Sequence, residues 1–193
     1  MSIVDSLRRA RKNAGTPLSE AASVSGVGVT NLSAIEHGRR DPTTATAQRV
    51  AAALGVSFVA VPARGRSTAA EAAAAILRAD EAGNPALAYR SFIQLADDLG
   101  AVDAVTRVVL AAEEPERSRS RWPDAIAGIV ELRLNEVGAP LPQWVRDTLG
   151  DPEHPWEPQR SDIAFPFPPD EELVPEPFRK RGVLIEENEL ASA

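Results

Sequence analysis

The stretch GVGVTNLSAIEHGRRDPTTATAQRVAAALGVS, residues 26–57 of 193, decides the fold class. Its apolar residues recur at intervals of three and four, the spacing that places side chains on one face of a helix. A helix is predicted over residues 28–37, and it ends at a glycine, which adopts the left-handed conformation that closes helices. After an Asp-Pro pair, Thr43 or Thr44 can cap a further helix that ends before Gly55.

Two more helices are predicted before this stretch. Residues 2–14 place apolar side chains on one face and basic side chains on another, which indicates an amphipathic helix. Thr16 followed by Pro17 predicts the next helix start, because threonine caps free amides and proline fits the first helical position. The N-terminal part is therefore expected to form four short helices joined by tight turns.

The order of these features resembles the xenobiotic-response-element family of lambda-repressor-like helix-turn-helix domains. In that family a glycine turn precedes the recognition helix, a glutamate closes it, a Gly-Arg-Arg-x-Pro loop follows, and an Ala-Ala-Leu-Gly-Val helix end completes the unit. The resemblance covers about the first 60 residues. It implies a mostly α protein in which residues 1–62 form a four-helix domain that binds a double-stranded DNA operator, as in transcriptional regulators.

The same resemblance places the third helix in the major groove, where its N-terminal half would contact base edges. An Asn31 amide matches adenine, Val29 suits a thymine methyl group, and Thr30 suits a base or a phosphate. Basic side chains would neutralise phosphates, although each arginine has an ordinary solvated surface as its alternative. The other expected DNA-contacting residues are Ser33, Ala34, Arg39, Arg40, Arg8, Arg9 and Lys12.

Two departures from the family pattern limit the expected affinity. Family members often carry a phosphate-contacting glutamine where this chain has Leu18, and the third helix contains no Arg, Lys or Gln. One recognition helix would then make few base hydrogen bonds. We therefore expect useful affinity to need either a homodimer that spans two half-sites or help from a partner.

Charge is distributed unevenly along the chain. Residues 1–62 contain seven basic and four acidic residues, a net charge of +3, whereas the remaining 14 basic and 24 acidic residues give −10. A basic N-terminal part on an acidic body suits a phosphate-contacting module joined to a module that binds something else. Ordinary charge scatter is the alternative interpretation.

Beyond the N-terminal domain the sequence predicts three segments: a linker at 63–68, a helical body at 69–138, and a proline- and aromatic-rich extended segment at 139–193. Phe58, Val59 and Val61 predict a short strand before the linker. Helices are predicted over residues 68–81, 85–99, 101–113 and 123–137, the first opened by a capping box of Thr68 and Glu71. Residues expected in the core of the second and third of these helices are Leu87, Phe92, Leu95, Ala96, Leu99, Val102, Val105, Val109 and Ala112.

The last segment contains ten of the chain's 16 prolines, between residues 140 and 177, which excludes a continuous helix. Its aromatic residues argue against disorder and predict an ordered strap whose side chains fill pockets of the chain's own helices or of a partner. A strand is expected at residues 183–185, followed by an acidic helical turn. The candidate partner-binding residues are Trp144, Trp156, Phe165, Phe167, Phe178 and Arg179.

The segments PLPQWV, HPWEP and PEPFRKRG resemble the C-terminal region of actinobacterial helix-turn-helix regulators that are encoded beside toxin genes, often nucleotidyltransferase-like ones. This resemblance implies an antitoxin that represses its own operon and neutralises a partner toxin through its acidic C-terminal part. The alternative is a repressor whose C-terminal part binds a small ligand or forms the dimer, with no toxin involved.

Enzymatic chemistry is not encouraged by the sequence. It contains no cysteine, its two histidines lie in unrelated segments, and it has no phosphate-cradling glycine motif. His37 is expected to form a hydrogen bond at a helix end, and the acidic run at residues 170–172 to be solvated. We therefore expect no cofactor and no metal. Since no apolar run approaches the length of a membrane span, a cytoplasmic protein is expected.

Overall fold

The computed structural model describes residues 3–58, 63, 65–161 and 168–190, and the chain is mostly α-helical in these parts. It divides into two compact units, residues 1–61 and 62–193. The predicted fold class, a four-helix N-terminal domain followed by further helices, is confirmed.

The first unit consists of four short helices around a small apolar core. The helices are α1 (Ile3–Asn13), α2 (Leu18–Ser25), α3 (Val29–Glu36) and α4 (Thr44–Ala53). Their buried faces come from the apolar positions at helical spacing, which removes these side chains from water. The residues of this core are Leu7, Ala21, Ala22, Val27, Leu32, Ala47, Val50 and Ala51.

Two helix starts in the first unit differ in how they are capped. The Thr43 side chain accepts a hydrogen bond from the Thr46 amide at 3.2 Å, which confirms one of the two expected caps of α4. The expectation that Thr16 caps α2 is wrong. Pro17 takes the cap position with extended backbone and no side-chain cap, and the Thr16 carbonyl instead accepts a hydrogen bond from Arg11.

The second unit is built around four helices, with α8 at its centre. These are α5 (Ala69–Glu81), α6 (Pro85–Gly100), α7 (Ala104–Ala112) and α8 (Trp122–Asn135). The capping box at the start of α5 is confirmed: the Glu71 amide donates to the Thr68 hydroxyl at 3.2 Å, and the Thr68 amide to the Glu71 carboxylate at 2.8 Å. Nearly every side of α8 is buried, because helices α5, α6 and α7 all pack against it.

The start and the buried face of α7 differ from the prediction. The Asp103 side chain accepts hydrogen bonds from two amides of the first turn, so the helix begins at Ala104. Val105 is consequently 74% exposed, and Arg107 is buried. Its guanidinium donates to main-chain carbonyls and to a carboxylate, which compensates its burial. The expected burial of Leu87 in α6 is also wrong, since that side chain is 45% exposed.

The chain after α8 packs its tryptophans and one phenylalanine into the second unit. It contains α9 (Gln143–Asp147), a 3-10 helix at Glu171–Leu173, α10 (Glu176–Arg179) and a 3-10 helix at Glu187–Leu190, the last of which confirms the acidic turn. The buried Trp144 indole donates to the Ala111 carbonyl at 3.0 Å. Trp156 meets the ring of Trp122 edge to face, with centroids 5.3 Å apart. Phe178 is fully buried.

These contacts correct the assignment of Trp144 and Phe178 as partner-binding residues. Both are buried by the chain's own helices, because each large side chain gains most by leaving water, and Trp156 packs there too. Arg179 is exposed. Phe165 and Phe167 lie outside the described residues.

The predicted strand at residues 183–185 is wrong. Val183 forms a single parallel bridge with Trp156. In this bridge the Trp156 amide donates to the Gly182 carbonyl, and the Leu184 amide donates to the Trp156 carbonyl. The other predicted strand, at residues 58–61, falls almost entirely outside the described residues.

The charged loop before α8 is tied down by Arg121. Its guanidinium forms an ion pair with Asp124 at 2.7 Å and donates to the carbonyls of His154 at 2.8 Å and Arg181 at 3.0 Å. This arginine therefore joins the start of α8 to the C-terminal strap.

Candidate nucleic-acid interface

The first unit contains two helices joined by a turn, with the second helix presenting its first turn to solvent. Gly26 ends α2 in the left-handed conformation, with φ of 67°, and α3 starts three residues later. A side chain at that φ would be strained, which explains the glycine. Leu32 and Ile35 fix the inner face of α3 in the core, while Val29 is 47% exposed and Thr30 is exposed.

Asn31 is less accessible than its neighbours in this turn. The residue is half-buried, and its Oδ1 atom is buried without a hydrogen-bond partner among the described residues. An amide that contacts adenine must present both its oxygen and its nitrogen to the base. The side chain would therefore have to rotate before it could make that pair of bonds. Ser33 and Ala34 are also half-buried.

A charged pair fastens the far end of α3 to α1. Arg11 donates from Nε to Glu36 Oε1 and from Nη2 to Glu36 Oε2, both at 2.7 Å, and from Nη1 to the Thr16 carbonyl at 2.9 Å. The hydrogen bond that Arg11 donates to Glu36 raises the pKa of Arg11. Because a two-pronged pair fixes orientation as well as distance, it holds α3 at a defined angle to α1.

Sequence reasoning missed this pair. It assigned no role to Arg11 and treated Glu36 only as the residue that closes the recognition helix. The available signal was a basic residue on the buried face of one helix and an acidic residue at the buried end of another.

His37 ends α3 as expected from the sequence. Its Nδ1–H donates to the Ser33 carbonyl at 2.7 Å, and the same carbonyl accepts the His37 amide at 3.1 Å, so both bonds tie this residue to the last turn of α3. The chain then turns through Gly38, and the side chains of Arg39 and Arg40 are exposed.

The basic residues predicted on α1 differ in exposure. Lys12 is exposed and Arg8 is half-buried. Arg9 is only 6% exposed, and its Nη2 lies 3.5 Å from the Ser6 hydroxyl. This differs from the expectation of an exposed, phosphate-contacting cation, because the long aliphatic stem of an arginine can cover apolar surface.

Comparison with known proteins identifies the first unit. Helices α2 and α3, joined by a turn and with the first turn of α3 exposed, have the arrangement of a helix-turn-helix domain. A protein-family model described as "Helix-turn-helix" matches residues 7–61. Neither the curated proteins nor the solved structures contain a match to the chain. The match supports a helix-turn-helix domain of the xenobiotic-response-element type in the first unit, and with it a sequence-specific DNA-binding transcriptional regulator.

The described residues contain neither a membrane-spanning helix nor a group of potential metal ligands. Within residues 3–58, 63, 65–161 and 168–190, no helix is long and apolar enough to cross a membrane. In the same ranges no three His, Cys, Asp or Glu side chains are grouped so that they could hold a metal ion.

Proposed function

We propose that the chain represses transcription by inserting the first turn of α3 into the major groove of an operator. The exposure of Val29 and Thr30, on a helix held from behind by Leu32 and the Arg11–Glu36 pair, is the observation that supports this most. A helix held in this way presents its N-terminal side chains to base edges without first having to order them.

Individual contacts are proposed on the basis of side-chain chemistry. Val29 contacts a thymine methyl group, Thr30 a base or phosphate, and Asn31 an adenine after its amide has rotated. Ser33 and Ala34 lie on the following turn of the helix. Phosphates are neutralised, and the domain is oriented, by the exposed Arg39, Arg40 and Lys12 together with the half-buried Arg8.

DNA-binding measurements with single substitutions test these roles. Asn31→Ala should weaken the free energy of binding to operator DNA by about 1–3 kcal/mol, and this loss should depend on the identity of one base pair. Arg39→Ala should weaken binding to every sequence and reduce the salt slope by about one. Arg49→Ala, which removes an exposed cation of α4 outside the proposed interface, is the matched control. Equal losses from Asn31→Ala on all DNA sequences would contradict the base contact.

We also propose that the regulator acts as a homodimer. A single helix without Arg, Lys or Gln makes few base contacts, so two half-sites are needed for useful affinity. Gel-shift titrations with a palindromic operator and with one isolated half-site test this. The palindrome should bind with a steep, cooperative dependence on protein concentration, and equal affinity for both DNAs would refute the dimer.

For the second unit we propose the role of an antitoxin. The support is the net charge of −10 on residues 63–193, because an acidic surface can cover a basic toxin site that normally meets nucleotides or nucleic acid. The toxin would be nucleotidyltransferase-like, as the C-terminal resemblance implies. Since Trp144 and Phe178 are buried in cis, the partner would meet the outer charged surface instead of the aromatic side chains.

Co-expression with the neighbouring gene tests this role. The full chain should rescue growth, a chain of residues 1–62 should not, and the full-length Asn31→Ala variant should still rescue although it no longer represses. A harmless neighbouring gene, or rescue by residues 1–62 alone, would contradict the antitoxin role.

A regulator without a toxin is the second candidate. The observation that favours it is that the strap completes the core of its own unit, so this unit has a filled interior without a partner chain. A second unit of this kind would serve as a sensor or dimerisation domain. A neighbouring gene that is harmless on its own would favour this candidate over the antitoxin.

A further inference from the structure

The second unit contains a cationic cavity although the unit as a whole is acidic. The cavity has a volume of about 310 Å³ and lies where α8 meets α9 and the strap after α10. Three of its lining residues are basic, Arg146, Lys180 and Arg181, and one is acidic, Glu131. We call it the Lys180 cavity.

One carboxylate serves two of these cations. Arg181 is 2% exposed, and its Nη2 lies 2.8 Å from Glu131 Oε2, while Lys180 Nζ contacts the other oxygen of the same carboxylate. The remaining partners of Arg181 are the neutral carbonyls of Thr148 at 2.8 Å, Pro177 at 2.7 Å and Val145 at 2.8 Å. A second carboxylate, on exposed Glu176, lies 3.9 Å from Lys180 Nζ, at the edge of ion-pair distance. Among the residues that line the cavity, positive charge therefore exceeds negative charge.

The third cation adds to this excess. Arg146 is exposed, and its guanidinium donates to neutral acceptors, the Leu141 carbonyl and the Gln143 side-chain oxygen, the latter at 2.7 Å. No carboxylate of the described residues lies within ion-pair distance of it. Neutral acceptors orient a guanidinium without cancelling its charge, so Arg146 can exchange one of these bonds for a bond to an anion at little cost.

Two leucines give the cavity an apolar wall. Leu141 lines one part of it, and Leu149 lines another with 75% of its surface exposed, the largest exposure among the exposed large apolar residues of the described chain. An apolar group placed against Leu149 would remove that surface from water. The volume is at the lower end of the range for small-molecule sites.

We propose that the Lys180 cavity binds a small organic anion, a phosphate or carboxylate carried on an apolar body. Lys180 and Arg146 contact the anionic group, and the charge of buried Arg181 attracts it without direct contact. The apolar body lies against Leu141 and Leu149. Glu131 belongs to α8 and the cations follow it in the chain, so the ligand joins the strap to the central helix. The inference does not depend on DNA binding by the first unit.

Calorimetric titration of the full chain at low salt tests the proposal. Phenyl phosphate and benzoate carry the two candidate anions on the same ring, and phenol is their neutral counterpart. One of the two anions should bind at least tenfold more tightly than phenol, and its affinity should fall as salt is added. The proposal is overturned if neither anion binds more tightly than phenol.

Substitutions locate the site. Arg146→Gln and Lys180→Gln should each weaken binding of the anion about tenfold, the effect of losing one hydrogen bond to a charged group. Arg179→Gln removes an exposed cation of the same basic run that does not line the cavity, and it should leave the affinity unchanged. Arg146→Gln breaks no ion pair of the described chain, so it remains informative if Lys180→Gln fails to fold. Equal losses in Arg146→Gln and Arg179→Gln would refute the assignment.

Discussion

Replacing Gly128 by alanine should destabilise the second unit, because Phe178 occupies the space that the new methyl group needs. A Cβ at Gly128 would lie 2.6 Å from Cδ1 and 2.9 Å from Cε1 of the phenylalanine ring. Carbon atoms in contact are normally about 3.5–4.0 Å apart. The ring is fully buried, so it cannot move aside into solvent.

The expected magnitude is a balance of two terms. Forcing an extra methyl group into a filled core costs about 1–3 kcal/mol. Alanine in the middle of a helix recovers about 0.5–1 kcal/mol relative to glycine. We therefore expect Gly128→Ala to lower the free energy of unfolding by about 1–2 kcal/mol.

Urea unfolding followed by tryptophan fluorescence measures this change in the right unit, because all three tryptophans of the chain lie in residues 122–156. Gly100→Ala is the control, since its Cβ would meet only the Arg133 side chain, at an ordinary 3.6 Å. This control should be neutral or slightly stabilising. A Gly128→Ala protein as stable as the Gly100→Ala protein would refute the steric argument.

Three further predictions concern buried polar groups. Glu36→Gln should destabilise the first unit by about 2–3 kcal/mol, because Arg11 loses its charged partner; circular dichroism during urea unfolding measures this. Burial and the hydrogen bond to Glu189 raise the pKa of Tyr89, so phenolate absorbance should appear at a higher pH than for a free tyrosine. Because the unfolded chain loses this proton first, the free energy of unfolding should fall as the pH rises past about 10. Trp144→Phe should cost about 1–3 kcal/mol in urea unfolding, since a buried carbonyl loses its donor.

Each of these predictions has a result that would count against it. An unchanged far-ultraviolet unfolding transition in Glu36→Gln would mean that the Arg11–Glu36 pair contributes no net stability. The unfolding transition followed by tryptophan fluorescence should not change in this variant, because all three tryptophans lie in the second unit. Tyr89 is the chain's single tyrosine, so an ordinary titration midpoint would contradict its burial, and Glu189→Ala should bring the midpoint part of the way back. A Trp144→Phe protein as stable as the parent would show that water replaces the indole donor.

Local signals in the sequence were sufficient where a structure is decided by neighbouring residues. The capping box of Thr68 and Glu71 and the cap at Thr43 depend on side chains within three positions of the amides that they bind. The hydrogen bond of His37 to the preceding turn is equally local. Periodicity likewise predicted four of the buried residues of α6, Phe92, Leu95, Ala96 and Leu99.

Signals of this kind failed where a buried face contains charge. Apolar periodicity in α7 favoured Val105 as a core residue, but the helix buries Arg107 instead. A buried arginine is stabilised by acceptors that are distant in the sequence, here including the carboxylate of Glu136. The free energy gained by burying one valine is too small to outweigh the hydrogen bonds and ion pair that Arg107 makes when this face of α7 is turned inward.

The sequence by itself determined the helix-turn-helix domain, the sites of its turns and the concentration of acidic residues in the second half, since these depend on short-range spacing and on composition. Only the tertiary structure decided which aromatic side chains are buried within the chain's own core, how Glu36 holds α3, and that Lys180 and Arg181 share one carboxylate in a cavity that Arg146 also lines. These are contacts between residues 25 to 50 positions apart. Their energies depend on distances that no local pattern in a chain encodes.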